Sequence, residues 1–357
     1  MLKHELDFTG QDIYAGLDTH LKSWKVTIMT QGIQCKTFSQ NPDAEILKKY
    51  LARNYPNGNY HSAYEASFCG FSPHRELINQ GIDNIVINPA DVPTTDKERK
   101  QKEDKRDSRK IARSLHNNEL EAIFIPSMEI EGLRSLVRYR KTLVKEINRY
   151  KGRTKSLLYY YGIRIPLELE MSSKHWPKRY TTWLKGLELQ TEYAKTTLNS
   201  MIETVEHLRT KLLEINRQLR KLEKEGEYSD TIVLLRSVPG VGLIMAMTII
   251  TEIEDIQRFG NLDKLCSYVG LIPRTNSSGD SDKIGEITPR SNRQLRSMLI
   301  ESSWIAIRQD PALMMRYSEL CQRMEPNKAI IKIAKKLLSR IKYVLKNEEP
   351  YEKGLVK

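Results

Sequence analysis

At 357 residues the chain is long enough for two or three domains, and 39% hydrophobic residues supply ordinary cores. Its formal net charge of +13 favours a polyanionic partner, nucleic acid first, because each Lys or Arg that meets a phosphate releases condensed counterions. No apolar run reaches the roughly 18 residues of a membrane span and Met1 to Asp12 is polar, so neither a span nor a signal peptide is expected, and a cytoplasmic location is.

Ile13 to His20 and Ser23 to Thr30 read as two strands joined by a short turn, and Gly32 turns the chain into a third, Ile33 to Ser39. A helix near Asp43 to Tyr55 follows, then a fourth strand at Tyr60 to Ala66, a helix opening near Ser72-Pro73, and a fifth strand at Asn84 to Asn88. Strands that meander first and then alternate with helices predict a mixed sheet with helices on its faces. This is the element order of a ribonuclease-H-like domain.

From Asp96 to Arg113 runs a mixed charge stretch in which Asp104 and Asp107 sit among nine Lys and Arg. A helix starting here, as Ser108 to Leu115 indicates, puts both carboxylates on one face. That is how a helix offers two oxygen ligands to one hard cation. Taken alone, such a run is more often a solvated, salt-bridged helix. Asp18 at the end of the first strand and Glu65 at the end of the fourth supply partners for the pair. In a ribonuclease-H-like sheet those strands are neighbours, so the four carboxylates converge at one edge. Four carboxylates suit one or two Mg²⁺ ions, which polarise a phosphodiester and activate the attacking oxygen.

From Glu129 to Tyr228 the pattern changes to long helices. Leu133, Leu136, Val137, Leu143, Val144 and Ile147 recur at helical spacing with Arg and Lys between them, and after a break at Pro166 to Pro177 a second helix is predicted from about Leu187 to Glu225. This predicts a helical hairpin or coiled coil, most simply a spacer or dimer arm. The basic face and Tyr159 to Tyr161 also suit RNA, by phosphate contact and stacking.

Val238-Pro239-Gly240-Val241-Gly242, ahead of the apolar helix Leu243 to Ile250, resembles the hairpin of a helix-hairpin-helix element, whose glycines let backbone N–H groups approach a phosphate. A plain helix-capping turn is the alternative. Arg274 to Arg296 reads as a polar loop and a natural place for function. Helices are predicted at Gln294 to Ile307 and at Asn327 to Leu345, the second with Lys328, Lys332, Lys335, Lys336, Arg340, Lys342 and Lys346 along it. Cys35, Cys69, Cys266 and Cys321 form no CxxC pair, which argues against a zinc site or a disulfide framework.

Taken in order, these parts resemble the DEDD transposases of RNA-guided (bridge-RNA) bacterial insertion sequences over almost the whole chain. The resemblance is carried by the Ala-Gly-Leu-Asp18 strand, Glu65, Asp104-x-x-Asp107, and the C-terminal run Val-Pro-Gly-Val-Gly, Arg258-Phe259, Gly-Leu-Ile-Pro, Ser-Ser-Gly, Gly-Glu-Ile-Thr and Leu-Arg. It implies three parts: a RuvC-like domain at 10–128, a helical coiled-coil region at 129–228, and a mainly helical C-terminal transposase domain at 229–357. It also implies that Asp18, Glu65, Asp104 and Asp107 are catalytic acids holding Mg²⁺, and that Ser278 is the nucleophile that takes the DNA phosphate, with the adjacent Ser277 left open. The implied partners are target and donor DNA, a noncoding guide (bridge) RNA, and further copies of the chain in a dimer or tetramer that shares its active sites, with no membrane. One departure is Ile-Thr288-Pro289-Arg290-Ser291-Asn292, where the family more often has Ser-Lys-x-Gly-Asn. Two other classes share parts of this pattern. A RuvC-like junction or flap nuclease would use the acids without the serine, and a non-catalytic nucleic-acid-binding protein would use neither.

Overall fold

A computed structural model describes residues 7–92, 104–278, 281–288 and 291–353. The chain divides into two compact units, Met1–Ile125 and Pro126–Lys357.

The first unit is built on a five-stranded sheet. Its strands are β1 (Asp12–Thr19), β2 (Trp24–Thr30), β3 (Ile33–Gln40), β4 (Asn59–Glu65) and β5 (Asp83–Ile87), in the spatial order β3-β2-β1-β4-β5. β1, β4 and β5 are parallel, whereas β2 and β3 form an antiparallel meander on one edge. This is the mixed sheet expected from the sequence, with every strand within about two residues of its predicted ends. Alternation in β1 decides its two faces. Ile13, Ala15 and Leu17 are fully buried in one core together with Leu47 and Leu51 of α1 (Ala44–Asn54) and Leu77 of α2 (Ser72–Asn79). The opposite face, carrying Tyr14, Gly16 and Asp18, is covered by α3 (Asp104–His116).

Gly16 is the point of closest approach between α3 and the sheet. A Cβ there would lie 2.9 Å from Ala112 Cα and nearer still to the Ser108 carbonyl oxygen and the Ala112 nitrogen. Beside it the buried Thr27 and Ser108 hydroxyls hydrogen-bond at 2.9 Å, and Thr27 is paired with Gly16 across β1 and β2. Gly16→Ala therefore has to lift a helix backbone off the sheet. It is expected to destabilise the first unit by at least about 2 kcal/mol, the upper part of the usual overpacking range, and to lower activity without touching an acid. Denaturant unfolding checks this, and an unchanged midpoint would contradict the close-packed helix.

Among its described residues the regular structure of the second unit is helical apart from one hairpin. α4 (Met128–Tyr160) and α6 (Glu192–Glu225) form a long antiparallel pair. Ile147 and Leu158 pack with Leu198, Ile202 and Val205 in a core at one end, completed by Tyr180 and Leu184 of α5 (Lys178–Gly186). Ile130, Val137 and Leu143 pack with Ile215 and Leu219 at the other. α6 begins at Glu192 rather than near Leu187, because the Thr191 hydroxyl accepts from the Ala194 N–H and caps the helix there. The remainder comprises α7 (Ser229–Ser237), α8 (Leu243–Ile253), α9 (Leu262–Val269), strands β6 (Pro273–Ser278) and β7 (Ser281–Ile287), and α10 (Arg293–Gln309), α11 (Pro311–Cys321) and α12 (Pro326–Asn347). α12 buries Ala329, Ile330, Ile333, Ala334, Leu337, Leu338, Ile341 and Val344, a stripe repeating every three and four residues, in the core shared with α8 and α10.

The polar stretch after Pro273 is not a loop. β6 and β7 form an antiparallel hairpin in which Ser277 pairs with Asp282 and Ser278 with Ser281. The sequence carried the signal, since Gly279-Asp280 separates two short runs in the manner of a two-residue hairpin connection. Polarity masked it: the runs lack the aliphatic alternation by which strands are usually found.

Candidate active site

Asp18 follows Gly16 by two residues on β1, so it stands on the α3 face. Glu65 stands on the same face of β4, two residues beyond Ala63, which packs with Ile111 of α3. β1 and β4 are adjacent and parallel, with Leu17 opposite Tyr64, so the next pair in register is Asp18 and Glu65.

α3 runs antiparallel to β1 over this face. Tyr14 meets the ring of His116 at 5.2 Å between centroids, and Gly16 meets Ala112 and Ser108. Two strand residues advance about 6.7 Å and four helix residues about 6.0 Å, so the two rows stay in step. One turn beyond Ser108 in that direction is Asp104, the first residue of α3. Asp107, one turn before Ile111, falls on the β4 side toward Glu65. The register of β1 and β4 and the direction of α3 thus set the four acidic positions toward one edge of the sheet.

Side chains are described for three of the four. Asp18 is largely buried, its side chain 19% exposed, and its Oδ1 lies 3.4 Å from His20 Nδ1. The Asp104 side chain lies outside the described residues, and among those described no group of three His, Cys, Asp or Glu closes into a metal cluster. By chemistry the donor set fits a hard divalent cation: all donors are carboxylate oxygens, and a soft ligand is not among them. The loop after Glu65 is tied to β1 at this edge. Thr19 Oγ1 lies 3.3 Å from Cys69 Sγ, and the Tyr64 hydroxyl donates to the Gly70 carbonyl at 2.9 Å.

Ser278 is the last residue of β6, and its side chain, like that of Ser277, lies outside the described residues. The root of its hairpin is described in detail. Gly270, with φ of +82°, lets the chain pass against Ser291 where any Cβ would collide. Arg296 donates to the Thr288 carbonyl at 2.7 Å, and the Asn292 side chain caps α10 by accepting from the Leu295 N–H.

Beneath this root is a buried carboxylate that the sequence reading passed over. Glu252 sits in the apolar helix α8 at 2% exposure, accepts both hydrogen bonds of a fork from Arg138 of α4 at 2.8 Å, and accepts from Asn292 Nδ2 at 2.7 Å. The Tyr268 hydroxyl donates to its backbone carbonyl at 2.8 Å. Its signal was one acid inside the run Leu243–Ile253. Burial by itself raises the Glu252 carboxyl, but Arg138 and Asn292 more than offset that and hold it below the ordinary glutamate range. The stability it supplies is thus fully present above about pH 4.5 and is lost as pH falls through the lower folded value. Arg138→Ala leaves that carboxylate buried and uncompensated. Arg138 is 53% exposed, so the expected loss is about 1–3 kcal/mol rather than the larger figure for a fully buried pair. Thermal unfolding against pH checks both statements, with Glu252→Gln expected to flatten the acid limb.

The Val238–Gly242 turn has a packing duty. Gly240, at φ of +81°, lies against the Ser302 carbonyl of α10, and its N–H donates to Gln309 Oε1 at 3.1 Å. The cations of α12 also divide. Lys335 pairs with Asp263 at 2.9 Å, Arg340 with buried Asp310 at 2.7 Å, and Lys342 donates to the Phe259 carbonyl at 2.8 Å. Lys328, Lys332, Lys336 and Lys346 are exposed, three of them one turn apart along the helix.

Comparison with known proteins gives two family matches, one running through the first unit and α4 and the other lying beyond α6. A DEDD transposase model of the IS110 type, described as a transposase, matches residues 15–163, and the model described as Transposase IS116/IS110/IS902 family matches residues 233–318. The chain belongs to the IS110 family of transposases. The IS110-type match spans Asp18, Glu65, Asp104 and Asp107, and the other spans the β6–β7 hairpin. The transposase for insertion sequence element IS1533 of Leptospira borgpetersenii is 24% identical over 303 residues, covering 82% of this chain and 84% of that protein. The transposase for insertion sequence element IS1111A of Coxiella burnetii is 24% identical over 292 residues, covering 80% and 78%. The match to the y4qE transposase of Sinorhizobium fredii, 28% identical over 241 residues, covers 68% of this chain but only 57% of that protein. A DEDD-type member of this family points to dependence on a divalent metal ion. Among the described residues no helix is long and apolar enough to cross a membrane.

Proposed function

We propose that this IS110-type transposase is an RNA-guided DNA recombinase that cuts and rejoins strands with the Asp18, Glu65, Asp104 and Asp107 cluster and the Ser278 nucleophile. The observation that supports this reading best is the close approach of α3 to Gly16, which runs the helix bearing two of the acids along the strand that carries Asp18 and beside the one that carries Glu65. A cation there would offset the mutual repulsion of carboxylates gathered at that edge. The four acids would hold Mg²⁺. When bound, that ion would polarise the phosphodiester and help deprotonate the attacking hydroxyl.

The rest of the chemistry belongs to the chain. Ser278 Oγ attacks phosphorus, the Oγ–P bond forms as the P–O3′ bond breaks, the serine proton leaves to solvent, and the departing 3′ oxygen takes one up. Rejoining repeats the exchange in reverse with the 3′ hydroxyl of another strand. The phosphoserine conserves the phosphodiester energy, so strand exchange runs without ATP. In this reading 10–128 is the acid-bearing part, 129–228 a helical spacer and 229–357 the serine-bearing part. A homo-oligomer, dimer or tetramer, supplies acids from one protomer and serine from another. Sequence choice is delegated to a noncoding guide RNA pairing with target and donor DNA, while the protein holds backbone.

Binding and cleavage assays together test this function. Affinity for DNA is expected to fall steeply with salt, and Lys328→Gln/Lys332→Gln/Lys336→Gln to reduce the slope of log K against log salt by about 2 to 3. EDTA should stop cleavage while leaving that slope intact. A flat salt dependence would remove the polyanion reading, and cleavage that persists in EDTA would remove the metal.

A further inference from the structure

A groove of about 230 Å³ opens in the second unit between α4, α8 and α10. One wall is a turn and a half of α4 carrying Arg140, Lys141 and Lys145, and the facing wall is α10 with Gln294, Ser297 and Glu301. We propose that this groove is a binding site for the backbone phosphates of the DNA strand that runs to the β6–β7 hairpin.

The charge balance of the walls is three cations against one acid. Neither Lys141 nor Lys145 has an ion pair among the described residues, and Arg140 is anchored through its Nε to Asn216 Oδ1 at 2.8 Å, which leaves its terminal nitrogens for another acceptor. Burial, with Lys145 adding to it, holds the Lys141 ammonium below the usual lysine range, and burial does the same to the Arg140 guanidinium. Arg140 and Lys141 are partly buried while Lys145 is exposed beside them, and neighbouring cations of which two are partly out of water are stabilised by an incoming anion. Gln294 and Ser297 bring neutral donors to the other wall, the side-chain types that join Lys and Arg on phosphate oxygens.

Size and place narrow the ligand further. The groove is smaller than the roughly 300–1,000 Å³ of sites that enclose a small molecule, so it suits a phosphate and its flanking sugars rather than a whole nucleotide. Its two walls continue directly from the hairpin root. Arg138 lies two residues before Arg140 and Asn292 two before Gln294, and both are bound to Glu252. A strand lying in the groove is therefore held by the same block that carries Ser278, which favours DNA over RNA as the occupant. This inference rests on the recombinase reading for its choice of DNA.

The test uses the full chain with a labelled random-sequence DNA duplex, its separated strands, and a single-stranded RNA of matched length. Lys141→Gln/Lys145→Gln is expected to weaken DNA binding about tenfold or more at low salt and to reduce the salt slope by about 1 to 2. Lys141→Arg/Lys145→Arg should keep both, and Glu301→Gln should tighten binding. Equal thermal midpoints separate lost contact from lost fold, and a variant that unfolds is replaced by Lys145→Gln alone, which is exposed. An unchanged slope overturns the site. A loss confined to RNA overturns the choice of DNA. If the slope falls as expected but wild-type protein never forms a covalent adduct, the groove stands and the serine chemistry fails; an adduct with an unchanged slope means the reverse.

Discussion

Asp18→Asn, Glu65→Gln, Asp104→Asn and Asp107→Asn are each expected to reduce strand cleavage at least about a hundredfold while DNA binding persists. The size follows from the task assigned to the carboxylates. Stabilising developing charge on a phosphodiester through a bound cation is worth several kcal/mol, and each 1.36 kcal/mol is a factor of about ten. Binding should survive, or improve, because each substitution removes a negative charge that a phosphate backbone must approach. The four positions are predicted to fail alike although their surroundings differ. Asp18 is largely buried on a central strand, whereas Asp107 sits in the first turn of α3. Equal stability with unequal catalytic loss would rank the ligands. A single variant that cleaves at the wild-type rate with Mg²⁺ removes that residue from the set.

Ser278→Ala is expected to stop both cleavage and joining, leaving no more than about one part in a thousand, because loss of a covalent nucleophile deletes the step itself rather than slowing it. The variant should fold and bind normally, since Ser278 ends a strand and its pairing with Ser281 is made by backbone. Ser277→Ala is the necessary companion. Ser277 directly precedes Ser278 in β6, so the two single variants separate the two hydroxyls. A hydrolytic nuclease on the same fold behaves differently: Ser278→Ala would leave its cleavage intact and only the acid variants would fail.

Much of the first unit was legible in the sequence because its strands carry the alternation that a one-sided core imposes, as in Ile13, Ala15 and Leu17. The order of its strands followed from the meander-then-alternate layout, and the adjacency of β1 and β4 is what relates Asp18 to Glu65. What could not be read was the depth of contact at Gly16. A glycine in a strand announces a close approach, but not which element approaches, because Ser108 and Ala112 are about ninety residues away along the chain. The second unit was less legible where polarity hid structure. β6 and β7 are polar strands, and Glu252 looked like one acid in a helix until Arg138 and Asn292, from two other elements, closed around it. Lys335, Arg340 and Lys342 likewise read as part of one basic face, yet tertiary partners claim all three.

The covalent step is tested most directly by trapping it. Wild-type protein incubated with Mg²⁺ and a nicked suicide substrate is expected to yield a protein–DNA adduct, and mass spectrometry of its peptides to place the phosphate on Ser278. An adduct at Ser277 would move the nucleophile by one residue. Free 5′-phosphate ends with no adduct would contradict the serine mechanism and leave metal-dependent hydrolysis in its place.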